Sequence, residues 1–337
     1  MAKIEPAVTQ LLYLVPDGTS YIDLAKDLSK VNRRLYRQGY TYVVQDIQIG
    51  VSAGMRASDI QQLSFYTAGN SWIVHNAWKK GFAAWRRQVR EVANVTGIKA
   101  GTWNDFKVYL DDSMEDATTL QPYAGDAALY LPDESSTVVW DYSALVFDDD
   151  GTEKDLKMHL IGSSNLADTN EESGIGLIHE YANSRVFVDN SSPDTPTGAS
   201  DTIYAKLMGT DEMSDRLVDN IETANDSPPY QFDEYPGGAT NADSAVPVRF
   251  ASVSGAQSLS TVGGFIAPCG LIKVDSNEMS LTNTTESATD LGDVAATGVA
   301  SPGPLSVYQG GTAPTAAVLV TVASGPYRGV LAAPMGQ

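Results

Sequence analysis

After residue 100 most of this chain is a succession of short runs rich in Val, Ile, Tyr and Thr, each closed by Gly, Pro, Asn, Asp or Ser. Runs of that length and composition suit half-buried strands, and the clusters between them suit turns. The runs at 103–110, 137–147, 155–161, 186–189, 202–208, 246–253, 264–274 and 316–323 are strand candidates, and 40–51 is an earlier one. Asp148-Asp149-Asp150-Gly151-Thr152-Glu153 lies between two of them and reads as a hairpin tip. Strands separated by long polar connections predict a mainly β protein, a sandwich with elaborated loops. At 42% hydrophobic and 19% charged residues the composition is globular, and 337 residues can bury a sizeable core. Cys269 is the sole cysteine, which excludes an intrachain disulfide framework and a cysteine-based zinc cluster.

Helical periodicity interrupts the β pattern. In 19–38, Ile22, Leu24, Leu28, Val31 and Leu35 form an apolar side, while Lys26, Lys30, Arg33, Arg34 and Arg37 crowd the polar surface. In 71–95, Trp78, Phe82, Trp85, Val89 and Val92 step by four and three along one stripe, and Lys79, Arg86 and Arg90 fall on another face. Asn70 or Ser71 supplies an N-cap and Gly97 a stop. A third, short helix is predicted over 211–224.

Charge is unevenly spread. Residues 1–110 hold fourteen of the 22 Lys and Arg but eight of the 42 Asp and Glu, a net of +6 against −26 for the remainder. Two surfaces facing different partners, one anionic and one aqueous, would give this asymmetry. An aromatic stripe at helical spacing is core packing, so Trp78, Phe82 and Trp85 are assigned to the interior. Lys79, Lys80, Arg86, Arg87 and Arg90 are left for an anionic partner, with Lys26, Lys30, Arg33, Arg34 and Arg37 beside them. That partner could be polynucleotide, a lipid surface or an acidic neighbour.

Little in the sequence supports catalysis. His75, His159 and His179 are isolated, and there is no His-Glu-x-x-His, Gly-x-Ser-x-Gly or phosphate-binding glycine loop. No cofactor is expected. Asp148 and Asp150 are a weak Ca²⁺ candidate, because the sixth and twelfth positions from Asp148 are Glu153 and His159 rather than Gly and Glu. The acidic group Asp111, Asp112, Glu115 and Asp116 reads as a solvated face. The stretch 294–327 carries no charge at all. Its glycines and prolines exclude a membrane helix, and strands joined by a neutral loop, or a subunit contact, account for it. Leu11–Val15 is too short an apolar run for a secretory signal. Residues 1–112 are taken as a basic N-terminal part and 113–337 as an acidic β-rich remainder, together one continuous unit.

The run Gly69-Asn70-Ser71-Trp72-Ile73-Val74-His75-Asn76-Ala77-Trp78-Lys79-Lys80-Gly81-Phe82-Ala83-Ala84-Trp85 resembles capsid proteins of small, environmentally sampled single-stranded DNA viruses. The segment from Trp103 to Asp111 is similar to a second shared stretch, with a fainter likeness at 267–274. The resemblance implies a jelly-roll structural protein of the virion that self-assembles into an icosahedral shell. A single roll with helical insertions in the N-terminal third is favoured over two fused rolls. It also implies a homo-oligomer with single-stranded DNA, or an internal membrane, on its inner face. Coat proteins of this kind commonly begin with an Arg-rich arm, whereas residues 1–15 here hold only Lys3. Genome contact then falls to the two basic segments. A β-rich receptor-binding or adhesion module is the alternative, and a β-sandwich glycoside hydrolase a weaker one.

Overall fold

The computed structural model describes residues 7–50, 59–98, 101–117, 119–123, 140–149, 152–164, 173–183, 245–254, 259–280 and 316–336. Its frame is two antiparallel sheets. One contains β1 (Gln10–Val15), β3 (Tyr40–Gly50), β9 (Leu259–Pro268) and β11 (Ala316–Val322), in the order β1-β11-β3-β9. The short β14 (Ala332–Pro334) continues the β11 side of β3. The other contains β2 (Gly18–Asp23), β4 (Asp59–Thr67), β8 (Val246–Ser254) and β10 (Leu271–Ser280), in the order β2-β10-β4-β8. Among these eight long strands the first pairs with the last, the second with the seventh, the third with the sixth and the fourth with the fifth. Two further pairings, β11 with β3 and β10 with β4, roll this ribbon into two layers.

Alternation decides which side chains fill the space between the layers. Leu11, Tyr13 and Val15 of β1 point inward with Val318, Val320 and Val322 of β11, against Ile22, Leu63, Phe65, Val253, Ile272 and Val274 of the second sheet. In β3 the inward set passes from Tyr42 and Val44 to Ile47 and Ile49, so one residue is extra at Gln45, where the pairing with β11 also shifts. Gly264 of β9 lies against this bulge. A Cβ there would collide with the carbonyl oxygens of Val44 and Gln45.

At one end of the sandwich the connections carry extra structure, except for the tight turn from β9 to β10. α1 (Leu24–Asn32) joins β2 to β3, and α2 (Trp72–Thr96) follows β4. Cys269 and Gly270, at φ 57 and 73, turn β9 into β10. Beyond β11 lies a small hairpin of β12 (Ser324–Gly325) and β13 (Gly329–Val330). A three-stranded sheet of β5 (Ala144–Asp149), β6 (Thr152–His159) and β7 (Ser173–Gly176), with α4 (Leu177–Asn183), packs with α2. The one-turn α3 (Ser113–Asp116) precedes it. Here Ile73, Val74, Ala77 and Trp78 of α2 meet Phe106, Val108, Met158, Leu160 and Ile178 in a second core. Trp78 stacks on Phe82 at 5.1 Å, and Phe106 meets Trp78 and Trp85, each at 5.6 Å. No helix among the described residues is long and apolar enough to cross a membrane.

Several sequence expectations change. The helix predicted over 19–38 is α1 alone. Asp23 caps it, accepting from the Lys26 N–H at 3.0 Å, and Thr19 to Asp23 instead pair with β10. The strand predicted over 264–274 is the end of β9, a turn and the start of β10. The segment 103–110 forms no ladder of its own beyond a bridge from Tyr109 to His159. Its N–H groups go largely to other acceptors, Lys107 to Ser143 Oγ at 3.0 Å and Val108 to Gln38 Oε1 at 2.7 Å. Asp148, Asp149 and Glu153 belong to the paired strands β5 and β6 rather than to the hairpin's loop. The group at 111–116 is not simply a solvated face. Asp111 is buried, accepts from the Met114 N–H and lies 3.3 Å from Lys273 Nζ, while Glu115 pairs with Lys157. The 316–322 part of the uncharged stretch is β11, which is uncharged because it is a central strand. The elements predicted at 186–189, 202–208 and 211–224 lie outside the described residues, as does 294–315.

Candidate anionic-partner interface

The topology gathers the cations. β1, β2, β3, β4, β9 and β11 contain no Lys or Arg, and β8 and β10 contain one each: Lys273 sits near the same end as α1 and α2, whereas Arg249 lies mid-strand and donates to Gly263 C=O in the middle of β9. All ten residues singled out for an anionic partner therefore belong to one end of the sandwich. They reach it by different routes.

α1 carries only Lys26 and Lys30. Lys30 is half-buried, donates to Gln121 Oε1 at 3.4 Å, and has its pKa lowered by burial and then by Lys26. Beneath it lie two sealed carboxylates. Asp23 accepts from Gln38 Nε2 at 2.7 Å, the Tyr142 hydroxyl at 3.1 Å and Trp140 Nε1 at 3.2 Å as well as from its own helix. Burial raises its pKa. Asp27 accepts from the Tyr13 hydroxyl at 2.8 Å. Arg33, Arg34 and Arg37, expected on the helix, lie instead in the loop that follows it. Arg33 is the left-handed residue that ends α1, at φ 54, and its N–H returns to Ser29 C=O. All three are exposed, and Arg37 Nε lies 4.0 Å from Asp105 Oδ1.

α2 keeps the face predicted for it. Ser71 stands at the N-cap and Gly97, at φ 69, closes the helix by donating to Ala93 C=O. Lys79, Lys80, Arg86, Arg87 and Arg90 are exposed, opposite the side that packs. Arg87 Nε pairs with Glu91 at 3.0 Å, one turn on, and the Arg86 guanidinium lies 5.8 Å over the Phe82 ring. Lys80 Nζ stands 6.0 Å over Tyr181. The last turns of α2 overhang the body. Val92, Val95 and Ile98 are 61%, 87% and 70% exposed. Beneath the overhang an apolar groove of about 300 Å³ runs between Val89, Val92, Ala93 and Ile98 on one side and Ala144 and Val146 on the other.

Sequence reading missed three cations here. Arg328 forms the tip of the β12–β13 hairpin, Lys107 is buried with its Nζ 4.7 Å over Trp140, and Lys273 pairs with Asp111. Burial lowers the Lys107 pKa, against Asp105, Asp141 and Asp23, which raise it. The one sequence signal was Arg328-Gly329, a two-residue step between Tyr327 and Val330. The histidines have packing partners. His75 places its ring nitrogens 2.9 Å from Met335 O and 2.8 Å from Asn70 Oδ1, and His159 Nε2 is 3.1 Å from Ser163 O. Among the described residues no group of three or more His, Cys, Asp or Glu converges as a metal site. Asp150 lies outside them, and the side chain of Asp148 does too.

The chain matches no protein-family model, no curated protein and no solved structure.

Proposed function

We propose that this chain is a jelly-roll coat protein that self-assembles into a closed icosahedral shell around single-stranded DNA. The observation that carries the reading is the strand order. Two four-stranded antiparallel sheets ordered β1-β11-β3-β9 and β2-β10-β4-β8 are what an eight-stranded roll of two Greek keys requires. The described residues hold one such pair of sheets, which favours a single roll with insertions between β2 and β3 and between β4 and β8. A fold of this kind hosts unrelated functions, so the site must carry the rest. Here that is the collection of cations at one end of a chain whose net charge is −20. A surface that contacts polyphosphate needs such a collection, and a strongly acidic remainder keeps large particles apart in water. The apolar overhang of α2 supplies a surface of the type that closes against another copy.

Negative-stain electron microscopy of the purified protein tests the reading. Uniform closed particles are expected. Sedimentation showing nothing larger than a trimer across salt, pH and divalent-ion conditions would overturn it and favour a receptor-binding module.

A further inference from the structure

The loop after α1 and the β12–β13 hairpin bring four arginines to one place. Arg33, Arg34 and Arg37 lie on the loop, and Arg328 lies on the hairpin. The two backbones are fastened together. The Arg328 guanidinium donates to Leu35 C=O, the Tyr36 hydroxyl donates to Arg328 C=O at 2.8 Å, and the Arg37 N–H donates to the Tyr327 hydroxyl at 3.1 Å. Tyr327 stacks on Tyr40 at 3.9 Å and meets Tyr36 and Tyr42 edge-on at 6.0 and 6.5 Å. The arginines therefore rise from a platform cemented by tyrosines rather than from free loops. Facing them is Asp105, beside Arg37 and within the fields of Lys107 and Arg328. The Asp105 N–H donates to Trp103 C=O at 3.0 Å, and Trp103 is 46% exposed.

Backbone geometry makes two of these arginines unexpected. Arg33 and Arg328 have φ of 54 and 51, and they are two of the three non-glycine residues at positive φ among those described. Arg33 ends a helix in the position where glycine is favoured. Arg328 and Gly329, at φ 51 and 95, are the middle pair of a tight turn closed by hydrogen bonds between Tyr327 and Val330, where Asn-Gly is favoured. By backbone preference alone, glycine or asparagine is the better choice at both. At Arg328 the guanidinium's bond to Leu35 C=O offsets part of that cost, and it holds the side chain beside the loop arginines.

Guanidinium forks match phosphate oxygens in pairs, and an exposed indole offers a flat face to an unpaired base. We propose that Arg33, Arg34, Arg37 and Arg328, with the exposed Trp103 two residues before Asp105, form a binding site for the phosphodiesters and bases of single-stranded nucleic acid. The proposal rests on the coat reading only in taking this end of the sandwich to face the genome.

Fluorescence anisotropy of labelled oligo(dT) with the full chain, over a range of salt concentrations, tests it. The double variant Arg33→Gly, Arg328→Asn puts the favoured residue into each turn while removing both charges and the Arg328–Leu35 hydrogen bond. Its salt slope should fall by about 1.4, roughly 0.7 for each lost phosphate contact on a single strand. Trp103→Ala should weaken binding roughly tenfold and leave the slope unchanged. If the double variant melts early, Arg34→Gln, Arg37→Gln, which alters neither turn, should lower the slope by the same amount. Unchanged affinity and slope in a folded variant overturn the site. Binding of the native protein to phosphatidylserine vesicles but not to oligo(dT) overturns it in favour of a membrane. Closed particles in the microscope whose dissociated subunits bind no oligo(dT) overturn this site and leave the coat reading standing, whereas oligo(dT) binding that follows these arginines without particles supports the site and sinks the shell.

Discussion

Replacing Asp27 by Asn should change how the stability of this protein depends on pH. Asp27 is fully buried on α1, with Oδ2 taking the Tyr13 hydroxyl and Oδ1 sealed without a hydrogen-bond partner. Burial raises its pKa, and the nearby Asp23 carboxylate raises it further. The Tyr13 hydrogen bond, Lys26 and Lys30 pull it back, and it stands at about 7. In the unfolded chain an aspartate titrates near pH 4, as roughly expected of a model peptide. The native state therefore holds this proton where the unfolded state has lost it, and stability falls as pH rises from about 4 to about 7, then levels off. About three units at about 1.4 kcal/mol each give a loss of up to about 4 kcal/mol. Asn is neutral throughout and still accepts from Tyr13. Urea midpoints of native and Asp27→Asn protein should be compared at steps across that window. The difference should grow in favour of the variant as pH rises and stop growing above about pH 7. Both chains share every other titrating group, so repulsion among the many surface carboxylates largely cancels in the comparison. Parallel curves, or a difference that grows the other way, would refute the argument.

Three further outcomes are expected. Trp78→Ala should lower stability by about 3–5 kcal/mol in denaturant unfolding, because it empties the second core, while Arg86→Gln, Arg87→Gln, Arg90→Gln should change it by less than about 1 kcal/mol. Gly264→Ala should cost about 1–3 kcal/mol, read by thermal melting, since the added carbon meets carbonyl oxygens of β3 that cannot step aside without breaking the sheet. Cys269, fully buried with its thiol pKa raised chiefly by burial, should resist a thiol reagent in the native state and react only as fast as the protein unfolds.

How much of this was legible depended on the range of the interactions involved. α2 was readable almost to the residue because its stripe, its cap and Gly97 are all local. β2 was not. Ile22 falls in step with Leu24, Leu28 and Val31, and the helical pattern ran over the Asp23 cap that separates strand from helix. The break between β9 and β10 was hidden because a cysteine rather than Asn or Gly opens the turn. β1 and β4 gave too short or too mixed an alternation to stand out without their partners. The basic residues themselves were easy to find. Their gathering at one end follows from which strand ends lie together, and only the long-range pairing decides that. Arg328 escaped notice for the same reason, being a lone cation about 290 residues from the loop it joins.

The gathering of those ten cations at one end has a consequence for how a roll of this kind would stand in a wall. The long strands of the two sheets carry only Arg249 and Lys273, so if the genome lies against the basic end, the strands would run along the particle radius rather than around its circumference. Strand length then becomes wall thickness. β3, at 11 residues, spans about 35 Å at roughly 3.3 Å per residue, and a shell of upright rolls could be no thinner. Neighbouring copies would meet side by side along the sandwich, and the strand ends at which β4 begins would face outward.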